Sequence, residues 1–344
     1  MTRALVLGAT GHIGAHVVRA LLRRGYTVRA GYRSPQHLEV LDGLPIERTQ
    51  ADCDDPRQLR DALDGCPLVV HCAGYYPAPT HRRNAAVARG LDQSRRVCEM
   101  LRQARTLERI VYVSSAATVP LTEGEPATEA DQEPWPLPSW RPLYATVKIA
   151  MEHAMLRAAE TLPAVIVNPS ICIGEYDARA FSGRLVLLFA TGRLPWVFEH
   201  GFNVVYTGDV AEACVSALER GRPGERYILS GENLTLAQWA TLVAAEAGVT
   251  PPRWHAPLAA VVAVAGLIEA ATRLAGREPP ISARTIARGH RQHHWMDCGK
   301  ADRELSMPHT PTVEAIRRTI AWSRQHGRLA PAAGGPAPAR DRVV

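Results

Sequence analysis

The stretch Gly8-Ala9-Thr10-Gly11-His12-Ile13-Gly14 decides the fold of this chain. It follows the apolar run at residues 3–7 and precedes a helical pattern that begins at residue 13. Glycine suits such a turn because the turn is tight, a phosphate approaches the backbone, and the helix packs closely on its strand. The helix N-terminus offers free N–H groups and a positive dipole end to phosphates. The GxxGxxG spacing therefore predicts a dinucleotide-binding loop, whose contacts are expected from Gly8, Thr10, Gly11, His12, Ile13 and Gly14.

Outward from this loop, the first 115 residues alternate short apolar runs with helical patterns. Strand-like runs lie at residues 3–7, 27–31, 68–71 and 109–113, and another at 164–167 follows a helical segment. Such alternation is typical of a parallel sheet covered by helices on both faces. We therefore predict an α/β fold over residues 1–173, a Rossmann domain with a doubly wound parallel sheet.

Beyond residue 173 helical patterns predominate. They lie at residues 182–191, 209–219, 236–247, 258–274 and 313–325. Residues 174–329 are expected to form a smaller, mostly helical substrate-binding part, with some segments returning to the sheet. The Ala-, Pro- and Gly-rich tail at 330–344 predicts disorder. Residues 120–143 are predicted to form a long loop of the kind that is functional or disordered.

The composition narrows the class of protein. Of 344 residues, 46% are hydrophobic and 22% charged, as in ordinary globular proteins. The net charge of +6 is spread without runs of like charges, so nucleic-acid binding is not expected. Seven cysteines without metal-ligand spacing indicate neither a zinc site nor a disulfide framework, and favour a reducing compartment. No apolar signal segment precedes the first strand, so a cytoplasmic location is expected.

Residues 257–275 are apolar enough to raise the question of a membrane segment. The stretch contains Glu269 and Arg273, and it falls short of the roughly 20 consecutive apolar residues that a spanning helix needs. We expect a packed helix here. A wall of an apolar substrate pocket and a contact with a membrane surface are the alternatives.

The end of the second strand bears on which dinucleotide is bound. An NAD site places Asp or Glu about 20 residues after the glycines, to bind the ribose hydroxyl. This place reads Arg29-Ala30-Gly31-Tyr32-Arg33-Ser34 and lacks an acid. Arg33 can pair with a 2′-phosphate, so NADP(H) is expected rather than NAD(H); a solvated surface arginine is the alternative. Asp52, with Cys53 beside it, is a candidate for the adenine amino group, and a helix N-cap before Pro56 is its alternative role.

A second motif points to acid–base chemistry. Tyr144 and Lys148 are four residues apart, so a helix presents both on one face. A free phenol has a pKa of about 10, and a nearby ammonium ion lowers it by stabilising the phenolate. Lys148 is one of only two lysines in the chain. Ser114 and Ser115 end a strand at the edge of the sheet where ligands bind. A hydroxyl there can hold the carbonyl oxygen of a substrate.

Together these motifs resemble those of the extended short-chain dehydrogenases/reductases of the NAD-dependent epimerase/dehydratase family. The likeness rests on the glycine loop, HCAG at 71–74, VYVSS at 111–115, YxxxK at 144–148 and NPS at 168–170. Arg33 and residues 165–170 and 224–233 add a narrower likeness to the dihydroflavonol-reductase-like and hopanoid-associated sugar epimerase group. The resemblance covers residues 3–327.

The resemblance implies a role for each matching residue. Tyr144 would be the acid/base and Lys148 would orient the nicotinamide ribose. Ser115 would hydrogen-bond the substrate oxygen, with Ser114 as the alternative. Five further residues would lie beside the cofactor: Ala73, Gly74, Asn168, Pro169 and Ser170. The resemblance also implies a possible homodimer through the helix that carries YxxxK.

Two departures from the family pattern concern the catalytic set. Many relatives carry an Asn on the helix before the serine strand, where this chain has Leu91, and Asn84 is too early to replace it. Relatives often have VYG after the serines, where this chain has Val119-Pro120. Both departures count more against a sugar-epimerase mechanism than against cofactor binding.

The leading hypothesis is an NADP(H)-dependent oxidoreductase that transfers a hydride between nicotinamide and a ketone or secondary alcohol. The apolar stretch 257–275 and two loop tryptophans, Trp135 and Trp140, indicate a hydrophobic small-molecule substrate. Three arginines leave a charged nucleotide sugar open: Arg179, Arg184 and Arg193. The alternatives are an NAD-dependent nucleotide-sugar epimerase or dehydratase and a non-catalytic, dinucleotide-sensing protein.

Overall fold

The computed structural model describes residues 2–78, 80, 82–120, 122, 124–131, 137, 141–180, 182–275, 283–289 and 293–330. The expectations for Trp135, for Trp140 and, beyond residue 330, for the predicted disordered tail at 330–344 lie outside these residues.

Strands and helices alternate through the described part of the chain. The strands are Arg3–Leu7 (β1), Thr27–Tyr32 (β2), Glu47–Gln50 (β3), Leu68–His71 (β4), Arg109–Val113 (β5), Ala164–Pro169 (β6), Ile171–Ile173 (β7), Trp196–Val197 (β8), Gly201–Tyr206 (β9), Arg226–Leu229 (β10), Glu232–Thr235 (β11) and Trp254–His255 (β12). The helices are His12–Arg23 (α1), Pro56–Leu63 (α2), Arg83–Gln103 (α3), Leu143–Ala158 (α4), Arg184–Ala190 (α5), Thr207–Arg220 (α6), Leu236–Ala247 (α7), Leu258–Leu274 (α8), Ala283–Gly289 (α9), Gly299–Leu305 (α10) and Thr312–Gln325 (α11). Single 3₁₀ turns lie at Leu38–Leu41 and Ala116–Thr118.

A seven-stranded sheet with the order β3-β2-β1-β4-β5-β6-β10 forms the centre of the fold. Every neighbouring pair of its strands runs parallel. The chain builds outward from β1 to β3 and then returns to the other side of β1 with β4, so the strand order reverses between β1 and β4. Strands β4 and β6 are buried along their whole length, which is why each appears in the sequence as an apolar run, Leu68–Val70 in β4 and Ala164–Val167 in β6. The predicted doubly wound Rossmann fold is confirmed.

Helices cover both faces of the sheet. Successive residues of a strand point to opposite faces, so apolar strands need a cover on each side. On one face, Val6 and Val70 share a core with residues of α1 and α6. On the other face, Leu5 and Ile110 share a core with residues of α2, α3 and α4. Full burial of one such side chain stabilises a fold by about 1.5–3 kcal/mol. The two cores together hold the ends of the strands in fixed positions.

The second half of the chain contributes both to this body and to a smaller core. Strand β10 pairs with β6, and α6 packs against α1, so both belong to the main sheet and its cover. The three-stranded sheet β11-β9-β7 packs with α5, α7 and α11 around Phe202 and Trp239. This part holds more strand than the helical patterns indicated, and two of its strands, β7 and β11, have only three and four residues, too few to show a clear period. The division at residue 173 stays a prediction.

Helix α8 occupies the residues where the sequence predicted a helix, but it is not packed as expected. Ala265 is its only buried residue, and α9 is the described element against which it chiefly packs. None of its residues lines the cleft described below. Within the described residues, every helix falls short of the length and apolar character that crossing a membrane requires.

Candidate active site

A cleft opens at the carboxyl ends of β1, β4, β5 and β6, where the strand order reverses. Ligands of open α/β sheets bind at such reversals. Most residues that the motifs marked line this cleft: Gly8, Thr10, Gly11, His12, Ile13, Gly14, Arg33, Asp52, Cys53, Ala73, Gly74, Ser114, Ser115, Tyr144, Pro169 and Ser170. Lys148 and Asn168 lie beneath its surface.

The three glycines of the first turn are needed for different structural reasons. Gly8 has a φ of +79°, and a Cβ there would lie 2.8 Å from the backbone nitrogen of Ala73. A Cβ on Gly14 would lie 2.2 Å from the carbonyl oxygen of Gly8. Gly11 is the N-cap of α1 and offers no side chain to its first-turn N–H groups, and this turn contains no acid. These N–H groups are left for an anion at the cleft.

Two histidines of α1 contact residues from the second half of the chain. The Nε2 atom of His12 lies 2.9 Å from Thr207 Oγ1, and that of His16 lies 3.1 Å from the carbonyl oxygen of Glu175. Burial lowers the pKa of both imidazoles. Because the His12 ring is engaged with α6, its backbone N–H is the group that it can offer to a ligand of the glycine loop.

Arg33 directly follows β2 and lines the cleft with an exposed side chain. Its guanidinium has no ion pair with any acid in the described residues, although most arginines near the sheet are paired, such as Arg29 with Glu47 at 2.9 Å. Cys53 lies close by, and burial raises the pKa of its thiol to about 12. The thiol is therefore neutral, and Arg33 supplies positive charge to this end of the cleft.

Asp52 lines the cleft and does not cap a helix. Its Oδ1 accepts a hydrogen bond from the backbone N–H of Asp54 at 3.0 Å. The N-cap of α2 is Asp55, whose side chain accepts from two first-turn N–H groups, at 2.9 and 3.2 Å. The alternative N-cap role for Asp52 is therefore wrong, because Pro56 takes the first position of the helix and the cap is the residue directly before it.

Tyr144 and Lys148 lie on α4 and approach the cleft from the same side. The ring of Tyr144 stacks on that of Tyr76, with centroids 5.4 Å apart and 24° between the planes. The Nζ atom of Lys148 lies 5.2 Å from the centre of the Tyr76 ring, and a Cβ on Gly74 would come within 3.2 Å of it. Lys148 is buried, and no acid among the described residues pairs with it.

The two serines after β5 have different surroundings. Ser115 Oγ accepts a hydrogen bond from the N–H of Ala117 at 3.1 Å, which leaves its hydroxyl proton available to a ligand. Ser114 is buried, and its hydroxyl donates to the carboxylate of Glu152. Of the two, Ser115 is the one placed to donate a hydrogen bond into the cleft.

A buried polar network lies beneath the serines, centred on Glu152 of α4. The Asn168 amide donates to Thr118 Oγ1 at 2.9 Å and to Glu152 Oε2 at 2.5 Å. Arg226 Nε lies 3.1 Å from Glu152 Oε1, so the carboxylate is paired. Asn168 itself does not line the cleft, because strand alternation turns its side chain into this network while Pro169 and Ser170 line the cleft. Its place near the nicotinamide stays a prediction.

Several cleft residues carried no assignment from the sequence: Ala51, Cys72, Tyr76, Gln93, Cys172, Asp177, Ala178 and Ser182. Gln93 lies on α3 two positions after Leu91, and Asn84 does not reach the cleft. The sequence signal that could have identified Gln93 is a polar residue on the buried face of that helix. Arg179 lines the cleft as well, whereas Arg184 and Arg193 do not.

Fold and cleft together define a dinucleotide-binding α/β protein with a hydroxyl-rich site beside the nucleotide loop. The chain belongs to the NAD dependent epimerase/dehydratase family, whose model matches residues 4–230. Members of this family bind a nicotinamide dinucleotide, and the resemblance found in the motifs is confirmed.

Three similar proteins come from bacteria. Sterol demethylase protein B of Methylococcus capsulatus is 33% identical, over 94% of this chain and 99% of that protein. A putative dihydroflavonol 4-reductase of Synechocystis is 30% identical, over 94% of each chain. Among solved structures, a nucleoside-diphosphate-sugar epimerase from Pseudomonas aeruginosa is 28% identical with a TM-score of 0.79, over 95% of this chain and 99% of that one. The relatives thus include proteins named as reductases and as epimerases.

Proposed function

We propose that this chain is an NADP(H)-dependent oxidoreductase that interconverts a ketone and a secondary alcohol on a hydrophobic substrate. The observation that carries the proposal is that the hydroxyls of Ser115 and Tyr144 open on the same cleft as the glycine loop. Lys148 lies directly behind Gly74 in this cleft. The names of two relatives, a sterol demethylase protein and a dihydroflavonol reductase, support a hydrophobic substrate.

The lining of the cleft fits a phosphorylated dinucleotide. The uncapped N-terminus of α1, with Thr10 and Ile13, would hold the pyrophosphate. Arg33, which has no acid partner in the described residues, would pair with a 2′-phosphate. Three groups of residues would lie along the rest of the cofactor: Asp52 and Cys53 at the adenine, Ala73 and Gly74 at the middle, and Pro169 and Ser170 near the nicotinamide. Bound there, NADP(H) supplies or accepts a hydride.

Residues of the chain itself would donate and accept the proton of the reaction. Tyr144 donates its phenolic proton to the carbonyl oxygen as the alcohol forms, and takes a proton back in the reverse direction. The ammonium of Lys148 stabilises the phenolate that Tyr144 becomes. Ser115 donates a hydrogen bond to the same substrate oxygen and polarises the carbonyl. A buried cation without a carboxylate partner is costly, and Lys148 pairs with no acid in the described part of the chain, which favours a role toward a ligand over a role in stability.

Tyr144→Phe tests the catalytic part of the proposal. General acid–base catalysis contributes roughly 10²–10⁴-fold, so we expect kcat to fall by this factor with NADPH and a panel of hydrophobic ketones. Tyr26→Phe is the matched control, since Tyr26 contacts Glu219 on the surface and does not line the cleft. Unchanged turnover in Tyr144→Phe with every accepted ketone would refute the assignment.

Arg33→Ser tests the cofactor preference. A charged hydrogen-bonding pair is worth about 1.5–3 kcal/mol, so affinity for NADP⁺ should fall roughly 10- to 150-fold while affinity for NAD⁺ changes little. Arg57→Ser, an exposed arginine that does not line the cleft, is the control. Equal loss for both nucleotides, measured by titration, would contradict the pairing of Arg33 with a 2′-phosphate.

One observation favours a second candidate, an NAD-dependent nucleotide-sugar epimerase or dehydratase. Arg179 lines the cleft and could bind a diphosphate, and one solved relative is named a nucleoside-diphosphate-sugar epimerase. Such an enzyme keeps its cofactor and consumes no reductant. Co-purifying NAD(H), together with conversion of a nucleotide sugar without NADPH consumption, would favour it over the reductase. A homodimer and a cytoplasmic location stay predictions, which light scattering and cell fractionation test.

A further inference from the structure

Helix α8 exposes a continuous apolar stripe. Its large apolar side chains are exposed to 56% at Val264, 72% at Leu267, 41% at Ile268 and 90% at Leu274. Leu267, Ile268 and Leu274 follow Val264 by three, four and ten positions. All four side chains therefore share one face of the helix. Exposed side chains of this size are normal when scattered singly, whereas a contiguous set marks an interaction surface.

Two exposed tryptophans lie on the strand pair that precedes α8 in the chain. Trp196 of β8 and Trp254 of β12 are direct partners in a parallel pair, with 42% and 69% of their surface exposed. Paired residues point to the same side of a sheet, so the two indoles are neighbours. Strand β12 ends at His255, three residues before α8 begins. We call the stripe on α8 together with these two tryptophans the apolar ridge.

The charge around the apolar ridge suits an anionic surface. Between residues 250 and 275 the sequence has a single carboxylate, Glu269. It is paired with Arg273 at 2.5 Å and accepts a hydrogen bond from the N–H of Ala283 at 3.1 Å, so it presents no free negative charge. Arg193 and Arg253 are exposed close to the tryptophans in sequence, and Glu199 is the exposed acid there, so basic side chains outnumber acidic ones by two to one. Basic side chains beside an apolar face attract anionic lipid headgroups.

We propose that the apolar ridge docks on an anionic phospholipid bilayer, with α8 lying in the plane of the interface. An apolar helical face bordered by tryptophan and arginine is typical of helices that lie at this depth. The helix is about 25 Å long and protrudes, since α9 is the described element that it chiefly contacts. Fluid lipids adapt to such a convex face, whereas a protein partner would need a matching groove. The inference does not depend on the reaction catalysed in the cleft.

Co-sedimentation with vesicles of equal parts phosphatidylcholine and phosphatidylglycerol tests the proposal. The full chain should bind these vesicles, and it should bind vesicles of phosphatidylcholine alone more weakly. Leu267→Glu should reduce the partition coefficient at least about tenfold, because an exposed apolar contact becomes a charge on the docking face. Leu188→Glu is the matched control, a 47% exposed leucine on α5 that should bind as the original chain does.

Three outcomes would overturn the proposal. The first is that the original chain stays in the supernatant with anionic vesicles. The second is that Leu267→Glu binds as well as the original chain. The third is that Leu188→Glu loses as much binding as Leu267→Glu. Light scattering adds a fourth: a dimer that Leu267→Glu converts to a monomer would make the apolar ridge a contact between copies. Glutamate is a good helix former, so we expect all variants to fold, and circular dichroism checks this.

Discussion

Replacing Gly14 by alanine should disrupt the turn that holds the nucleotide phosphates. The new Cβ would lie 2.2 Å from the carbonyl oxygen of Gly8 and 3.0 Å from the Cα of Ala9. Both are backbone atoms, and even close carbon–oxygen contacts are about 3.3–3.6 Å, so α1 must move by roughly 1 Å. Overpacking costs about 1–3 kcal/mol, and helix propensity returns at most about 1 kcal/mol. We expect a net loss of about 1–2 kcal/mol in the free energy of unfolding, together with weaker NADP(H) binding.

Urea unfolding and a fluorescence titration with NADPH measure the two effects. Gly266→Ala in α8 is the matched control, because its Cβ would meet nothing closer than the Cβ of Ala283 at 4.0 Å. There alanine should stabilise the chain by about 0.5–1 kcal/mol. A Gly14→Ala variant as stable as the original chain, with the same Kd for NADPH, would refute the reasoning from close packing at the turn.

Three further predictions concern stability, each measured by urea unfolding. Glu152→Gln leaves Arg226 as a nearly buried cation without its partner and should cost about 3–5 kcal/mol, whereas Glu108→Gln, at an exposed glutamate with no ion pair among the described residues, should leave the midpoint unchanged. Burial lowers the pKa of His71 to about 3, so below about pH 6.5 the unfolded state binds a proton that the folded state does not. His71 should therefore destabilise the fold by about 1.4 kcal/mol per pH unit down to about pH 3, and His71→Leu should flatten this dependence. Asp55→Ala removes the N-cap of α2 and should cost about 1 kcal/mol; no loss would show that the cap is dispensable.

The parallel sheet could be predicted because its central strands carry their pattern in the sequence. Buried strands such as β4 and β6 are apolar except for one residue each, His71 and Asn168, and each strand borders a helix with its own period. The sheet β11-β9-β7 could not be predicted, because β7 and β11 are short and the pairing of all three strands depends on contacts far apart in the chain. The exposure of α8 was likewise not visible, since an apolar helix normally packs and only the tertiary structure shows that it does not.

The residues of the candidate site likewise fall into those that the sequence predicts and those that it does not. The glycine loop, Ser115, Tyr144 and Lys148 lie in motifs whose spacing follows directly from a turn or a helix. Tyr76 and Arg179 reach the cleft through loops, whose paths no local pattern specifies. Asn168 shows the opposite case, a motif residue whose side chain the strand turns away from the cleft. Motifs thus locate backbone segments more reliably than they orient individual side chains.

The ion pair between Glu152 and Arg226 has a consequence for how the chain can be divided. Glu152 belongs to α4 in the first half, whereas Arg226 begins β10, more than fifty positions beyond the boundary predicted at residue 173. A fragment that ends at that boundary would keep every motif of the nucleotide loop and the Ser–Tyr–Lys set. It would also bury a carboxylate with no cation against it, directly beneath Ser114. The two halves are therefore not interchangeable modules, and grafting a different second half would require a new source of positive charge at this point.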